Sequence, residues 1–181
     1  TIDSIAKNII KLLERNSFFI STRGIQKEKF VFTQVVQAGL AKDKGLFIPM
    51  EFPKITITQL KRLVNMNYSE RALRILEKFP IQPLNPQELY QIIQDCAKSF
   101  KNPEVIPIKS LNKNQFLLEE FYGPTASFKD LSLQMFPKFL TCVKDTSPFI
   151  LTATSGDTGS AALHAFSKYD IPCVVLYPNG K

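Results

Sequence analysis

Histidine is nearly missing from this sequence: His164 is the only one in 181 residues. Multi-histidine metal sites and most serine or cysteine triads need more than that, so they are unavailable within the chain. Cysteine is scarce as well. Cys96, Cys142 and Cys173 stand far apart with no Cys-x-x-Cys pair, which argues against a zinc site or a disulfide framework and predicts reduced, mostly buried thiols. No metal ligand set is predicted. Long apolar runs are also lacking. No window approaches the roughly 20 apolar residues that cross a bilayer, and no stretch has the basic, apolar, small-residue order of a signal peptide. A cytoplasmic or organelle-interior protein without membrane contact is expected.

Acidic residues are outnumbered, 16 against 23 lysines and arginines, for a formal charge of +7. A basic surface attracts phosphate backbones. Yet the basic residues are scattered from Lys7 to Lys181, with no run of four and no aromatic-basic signature of an RNA-binding module. That distribution argues against nucleic acid as partner; an anionic small substrate uses the same charge more economically.

What is present is the composition of a soluble globular protein, 44% hydrophobic and 22% charged, long enough for one domain or a small pair. Residues 1 to 15 carry Ile2, Ile5, Ile9, Leu12 and Leu13 at helical spacing, and "NSFFIST" then turns β-like. From about 20 to 104 the pattern is mostly helical. In "NPQELYQIIQDCAKSF", Asn85 is a cap, Pro86 suits the first turn and Glu88 can reach back. Leu89, Ile92, Ile93, Cys96 and Phe100 make one apolar face. Leu60, Leu63 and Val64, then Ala72, Leu73, Leu76 and Phe79, predict two more helices whose stripes serve packing.

From 105 onward short apolar runs alternate with helical patterns. "EVIPI" and "QFLLEE" read as strands, "SFKDLSLQMFPKFLTCV" as a helix bent at Pro137, "PFILTAT" as a buried strand, "TGSAALHAFSKY" as a helix and "IPCVVLY" as a buried strand. Two successive β-α-β crossovers predict an α/β fold with a doubly wound parallel sheet. The domain reading is 1–19 as a leading helix, 20–104 as a small mainly helical module, and 105–181 as the start of the α/β domain. Ligands in such sheets sit at the carboxyl ends of strands. Two loops fall there, "YGPTAS" and "TSGDTGS".

In "ATSGDTGSAA", Gly156 and Gly159 allow a tight turn, and Ser155, Thr158 and Ser160 offer hydroxyls. The next helix points free N–H groups at the loop, as an anion site requires. It is neither a Walker loop nor a GxGxxG fingerprint. An ordinary turn capped by Asp157 or Thr158 accounts for the same residues, so both readings stand. Lys129 falls in the first turn of its helix, beyond a strand end, where the helix terminus and loss of solvent favour a neutral, nucleophilic amine. Spacing alone favours the plainer alternative, a surface lysine paired with Asp130 or Glu119. His164, with Ser160 and Lys168, is expected on the solvated side of its helix.

"FYGPTASFKDLSLQ" and "LTATSGDTGSAALHAF" together resemble the lysine segment and the serine-glycine loop of threonine synthase, a fold-type II (tryptophan synthase β-like) enzyme dependent on pyridoxal 5'-phosphate. "STRG" at 21–24 and "VVQAGLAKDKGLFIP" at 35–49 are similar to that family's amino-terminal module. The resemblance runs from about Ser21 to the end of the chain, in the family's order. It implies that Lys129 holds the cofactor as a Schiff base and then moves protons between substrate carbons, framed by Phe128 and Asp130. Ser155, Gly156, Asp157 and Thr158 would grip the substrate carboxylate, with Ser155 and Asp157 beside the cofactor ring and Thr125 also at the substrate. The family's substrate is O-phosphohomoserine, a small phosphorylated amino acid: phosphate leaves, water adds and threonine forms.

Four positions depart from the pattern: Tyr122 replaces a usual histidine, Ser127 a commoner alanine, and Lys42 and Lys44 the proline and glycine of a "GLAPDGGL" turn. Tyrosine cannot titrate near neutrality as histidine can, which keeps open a phospho-lyase or dehydratase acting on a hydroxyamino acid phosphate. "SFKDLSLQ" is also similar to the threonine synthase-like proteins of animals, where such a module follows a kinase-like domain; the helix at 1–15 would fit that domain's tail. The family's phosphate-cradling loop and the group facing the pyridine nitrogen come later than Lys181. The chain is therefore expected to hold part of an active site, and an inactive interaction or scaffold fragment is the remaining alternative.

Overall fold

The computed structural model describes residues 18–24, 28–141 and 148–179. The helix expected at 1–15 and Cys142 lie outside them. The chain divides into two compact units, Thr1–Met66 with Glu70–Leu89, and Asn67–Ser69 with Tyr90–Lys181. Among the described residues, no helix is long and apolar enough to cross a membrane.

In the first unit the β-like "FIS" forms β1 (Phe19–Ser21), antiparallel to β2 (Phe47–Pro49) with Ile20 opposite Ile48. Phe19 also bridges to Phe30. Between the strands runs α1 (Phe32–Ala38), which buries Phe32 and Val36. The rings of Phe19 and Phe32 lie 6.5 Å apart, and Phe30 meets Phe47 edge-on at 4.9 Å. This aromatic cluster closes a small core that two three-residue strands could not form alone. The helices expected around Leu60 and Leu73 are α2 (Ile57–Leu63) and α3 (Tyr68–Leu76). A reciprocal cap starts α2: Gln59 N–H donates to Thr56 Oγ1 at 3.2 Å, and Thr56 N–H to Gln59 Oε1 at 2.9 Å.

The longest described helix is α4 (Pro86–Lys98), and it begins as its sequence dictates. Asn85 Oδ1 accepts from Gln87 N–H at 3.0 Å and Glu88 N–H at 2.9 Å, while Asn85 N–H donates to Glu88 Oε2 at 3.0 Å. Leu89, Ile92, Ile93, Cys96 and Phe100 are all buried. In the second unit Cys96, Phe100 and Val105 form a core against which Tyr68, Ile106, Tyr122, Leu131 and Met135 pack.

The strand expected at "EVIPI" is mostly a turn. Val105 sits at φ 65° and its N–H donates to Asn102 O at 2.9 Å, so only Ile108 joins β3 (Ile108–Asn112). β3 pairs antiparallel with β4 (Gln115–Leu118) across a tight turn in which Asn112 Oδ1 accepts from Asn114 N–H at 3.0 Å. This hairpin is a separate two-stranded sheet, so the first expected crossover does not join β4 to the next strand among the described residues. The bent helix is two short ones, α5 (Asp130–Leu133) and α6 (Phe136–Leu140), with Pro137 in the first turn of α6 where its missing N–H costs nothing.

The second crossover is present. β5 (Ile150–Ala153) leads through α7 (Asp157–Phe166) to β6 (Cys173–Leu176), parallel and in register from Ile150 opposite Cys173 to Ala153 opposite Leu176. α7 buries Gly159, Ala161, Ala162, Ala165 and Phe166. A Cβ at Gly159 would sit 2.6 Å from Val175 Cγ1 and 2.7 Å from Thr154 Cγ2, so this glycine lets the helix approach the sheet. The strands were expected to be buried, yet Leu151, Val174 and Leu176 are exposed, because α7 covers one face only.

In the turn where glycine would be usual, Lys44 stands at φ 64°, a left-handed conformation that costs a side-chain-bearing residue about 1–2 kcal/mol. Replacing it with glycine removes that cost at some expense in unfolded-chain entropy. Lys44→Gly is predicted to raise the denaturation midpoint by the equivalent of about 0.5–1 kcal/mol; a lower midpoint would contradict this account of the turn.

Candidate active site

The "GPTASFKD" segment is built around one carboxylate. Asp130 is fully buried. Its Oδ2 accepts from Thr125 N–H at 2.9 Å, and its Oδ1 accepts from Thr125 Oγ1 and from Gln134 Nε2, both at 3.0 Å. The loop thus folds back on the first residue of α5. Gly123 is part of the same closure, since a Cβ there would overlap the Asp130 side chain. Ser127, also buried, turns the chain into the helix, its Oγ accepting from Lys129 N–H at 3.2 Å.

Lys129 occupies the N-cap of α5 and is half-buried. Its Nζ lies over the exposed ring of Phe128, 4.0 Å from the centroid, a contact worth about 0.5–1 kcal/mol when solvent-exposed. The plainer reading of this lysine is not what the structure forms. Asp130 is bonded to Thr125 and Gln134, Glu119 Oε2 accepts from Tyr122 hydroxyl at 3.1 Å, and among the described residues Lys129 makes no ion pair. The bond to Glu119 raises the Tyr122 pKa above the ordinary phenol value, so this tyrosine is a donor rather than a base.

The second loop lies at the carboxyl end of β5. Thr154 Oγ1 accepts from Gly156 N–H at 3.1 Å, and Gly156 is the N-cap of α7 with no side-chain capping bond. Neither Asp157 nor Thr158 caps the helix, contrary to the ordinary-turn reading. Ser155, Gly156 and Asp157 are exposed and Thr158 is half-buried. Ser160 does not face the loop: its hydroxyl donates to Asp157 O at 3.1 Å within the helix. An open cleft of about 410 Å³ adjoins the loop, lined by Ala153, Thr154, Ser155, Leu176, Tyr177 and Pro178 at the ends of both parallel strands. That volume falls within the range of about 300–1,000 Å³ typical of small-molecule sites.

Gln134 and His164 have structural places that the sequence pattern does not assign them. Gln134, 8% exposed, spans from Asp130 to the helix of the second loop, where its Oε1 lies 3.0 Å from His164 Nδ1. His164 is therefore half-buried against α5 rather than on a solvated face. The i, i+4 spacing of Asp130 and Gln134 was the available signal. Cys96 is buried, and loss of solvent, then Asp130 nearby, pushes its pKa up to about 12, which makes it an inert core thiol.

Lys129 fits an aldehyde cofactor, since its half-buried amine is not committed to a carboxylate. The uncapped start of α7 and the hydroxyls of Ser155 and Thr158 suit an anionic group.

Burial, then the Lys168 charge, lowers the His164 pKa, while Asp130 works in the opposite direction. The unfolded ring takes a proton near the ordinary value of about 6.5 and the folded ring only below that. His164 thus leaves stability undiminished above about pH 6.5 and lowers it as the pH falls through the folded value. His164→Gln is predicted to flatten the unfolding free energy against pH in that window; an unchanged slope would contradict the assignment.

Residues 18–97 match the family described as "Threonine synthase N terminus". The chain is 40% identical over 185 residues to Threonine synthase-like 1 of Homo sapiens, covering 92% of this chain and 25% of that protein. It is 35% identical over 176 residues to the threonine synthase of Schizosaccharomyces pombe, covering 90% of this chain and 34% of that protein. Among solved structures, the PLP-bound threonine synthase of Brucella melitensis superposes with a TM-score of 0.82 at 34% identity, over 90% of this chain and 36% of that one. The threonine synthase of Escherichia coli gives a TM-score of 0.78 at 32% identity, over 90% and 37%. The chain thus spans between a quarter and somewhat over a third of these relatives. Sequence, family match and superposition agree that it carries a threonine synthase-type amino-terminal portion of α/β class.

Proposed function

We propose that this chain supplies the lysine-bearing part of the active site of a pyridoxal-phosphate-dependent, fold-type II enzyme that converts O-phosphohomoserine and water to threonine and phosphate. The observation that carries the reading is the Lys129 amine, half-buried at the N-cap of α5, free of ion pairs among the described residues and held on a loop fixed by a buried carboxylate. The family and superposition findings support it. In this reading 20–104 is the family's amino-terminal module, with the family match over residues 18–97 in support, and 105–181 is the first part of the cofactor domain. A cytoplasmic location fits the same reading.

When bound, the cofactor supplies an electron sink for carbanion charge. Lys129 holds it and carries protons between neighbouring substrate carbons, because an amine on a short, fixed helix start can reach successive positions without rebuilding the loop. Phe128 gives the amine an apolar, π-rich bed and sits at the cofactor. Ser155 and Thr158 present hydroxyls, and beyond the Gly156 N-cap, whose own N–H is held by Thr154, the amides of Asp157 and Thr158 open α7 towards a substrate carboxylate. Asp157 and Ser155 border the cofactor ring. Thr125 donates its hydroxyl hydrogen to Asp130 and keeps its oxygen as an acceptor for the substrate. The formal charge of +7 draws in a small phosphorylated amino acid.

A second reading rests on Tyr122, whose hydroxyl is committed to Glu119 at the position where the resemblance leads one to expect histidine. It is a phospho-lyase or dehydratase acting on a hydroxyamino acid phosphate, and product analysis separates the two: threonine for the first, a keto acid for the second.

The full-length enzyme containing this chain is predicted to show a visible absorption band with pyridoxal phosphate. Lys129→Ala should abolish the band and lower turnover by roughly 10²–10⁴-fold. A colourless protein, or a band that survives the substitution, would overturn the reading.

A further inference from the structure

Gln134 has obligations on both sides. A carboxylate only accepts hydrogen bonds, so the Gln134 NH₂ group must face Asp130, at 3.0 Å, and its carbonyl oxygen must face the other way. There Oε1 lies 3.0 Å from His164 Nδ1. A carbonyl oxygen also only accepts, so the hydrogen in that contact belongs to Nδ1. Every hydrogen in the series Thr125, Asp130, Gln134, His164 then points towards the buried carboxylate. Because Gln134 is 8% exposed, water is a poor substitute for either partner.

We propose that Gln134 and His164 are positioning residues for the lysine segment. His164, held as the Nδ1–H tautomer, fixes the Gln134 amide. Gln134 in turn aims at Asp130, tying the Thr125–Lys129 loop to α7, the helix that starts at Ser155–Thr158. The hydrogen-bond polarity is independent of any cofactor; its meaning for catalysis rests on the function proposed above, in which those two loops hold cofactor and substrate. The link tolerates protonation of the ring, since an imidazolium keeps its Nδ1–H. Nε2, the nitrogen that titrates, is not the one bonded to Gln134. The packing of α6 on α7, with Phe136 and Phe166 edge-on at 5.9 Å, holds the two helices while the polar series sets the loop.

His164 is the only histidine in the chain, so ¹⁵N-histidine labelling gives a single ring to observe. Well above its titration, the ring is expected to carry its hydrogen on Nδ1. Gln134→Leu removes the acceptor and Asp130→Asn removes the group that orients it; both are expected to shift the ring to predominantly Nε2–H, the second without touching it. The wild-type spectrum alone is decisive, because an Nε2–H ring there overturns the proposal whatever the variants do. Nδ1–H persisting in folded Gln134→Leu would overturn it as well. Borohydride trapping of pyridoxal phosphate at Lys129 is expected to slow about tenfold in Gln134→Leu. It should hold near the wild-type rate in His164→Asn, whose amide can replace the Nδ1–H donor. Equal rates in all three would remove the positioning role. Trapping on another lysine in the wild type would instead sink the functional reading and leave the tautomer result standing.

Discussion

A fully buried carboxylate held by uncharged donors is the constraint from which the candidate site follows. Stripped of water, Asp130 must be met by hydrogen bonds. It takes them from the backbone and side chain of Thr125 and from Gln134. That requirement bends "GPTAS" back over the start of α5, leaves no room for a side chain at Gly123, and puts Lys129 at the helix N-cap with its side chain directed over Phe128. The lysine next to Asp130 in sequence is thereby kept from pairing with it. A surface ion pair would have tied up the amine on which the proposed chemistry depends.

The second loop is arranged by packing rather than by charge. Gly159 and the alanines of α7 bring the helix close to Thr154 and Val175, which sets the N-cap at Gly156 beyond the end of β5. With no side chain capping the helix, its first amides are available to an anion. The loop proposed to receive an anion and the loop that carries Lys129 thus have different physical origins, a short crossover and a buried carboxylate. Gln134 and His164 bridge them.

Legibility in the sequence followed how local each determinant is. The α4 cap and apolar face could be read from Asn85, Glu88 and their periodicity because every partner lies within a few turns. The β5–α7–β6 crossover was legible for the same reason. "EVIPI" misled because apolar composition suggests a strand while Pro107 and the turn at Asn102 set the backbone, with Val105 at φ 65°. Pairing of β4 with β3 depended on a short turn whose asparagine bond periodicity does not register. His164 was misplaced because a helical wheel assigns faces without knowing that the C-cap of α5 is Gln134, facing the ring. Lys129 and the Ser155–Thr158 loop were picked out by their motifs, yet the carboxylate that organises the lysine loop stood beside the motif lysine and was read only as part of its frame.

The claim that Asp130 shapes the lysine loop is tested most directly by hydrogen exchange at the Thr125 amide, whose N–H donates to Oδ2 at 2.9 Å. Strong protection in the wild type, comparable to amides inside α7, and a loss of at least about tenfold in Asp130→Ala with α7 protection unchanged, is the predicted result. A Thr125 amide that exchanges as fast as an open loop in the wild type, or one whose protection survives removal of the carboxylate, would contradict the account.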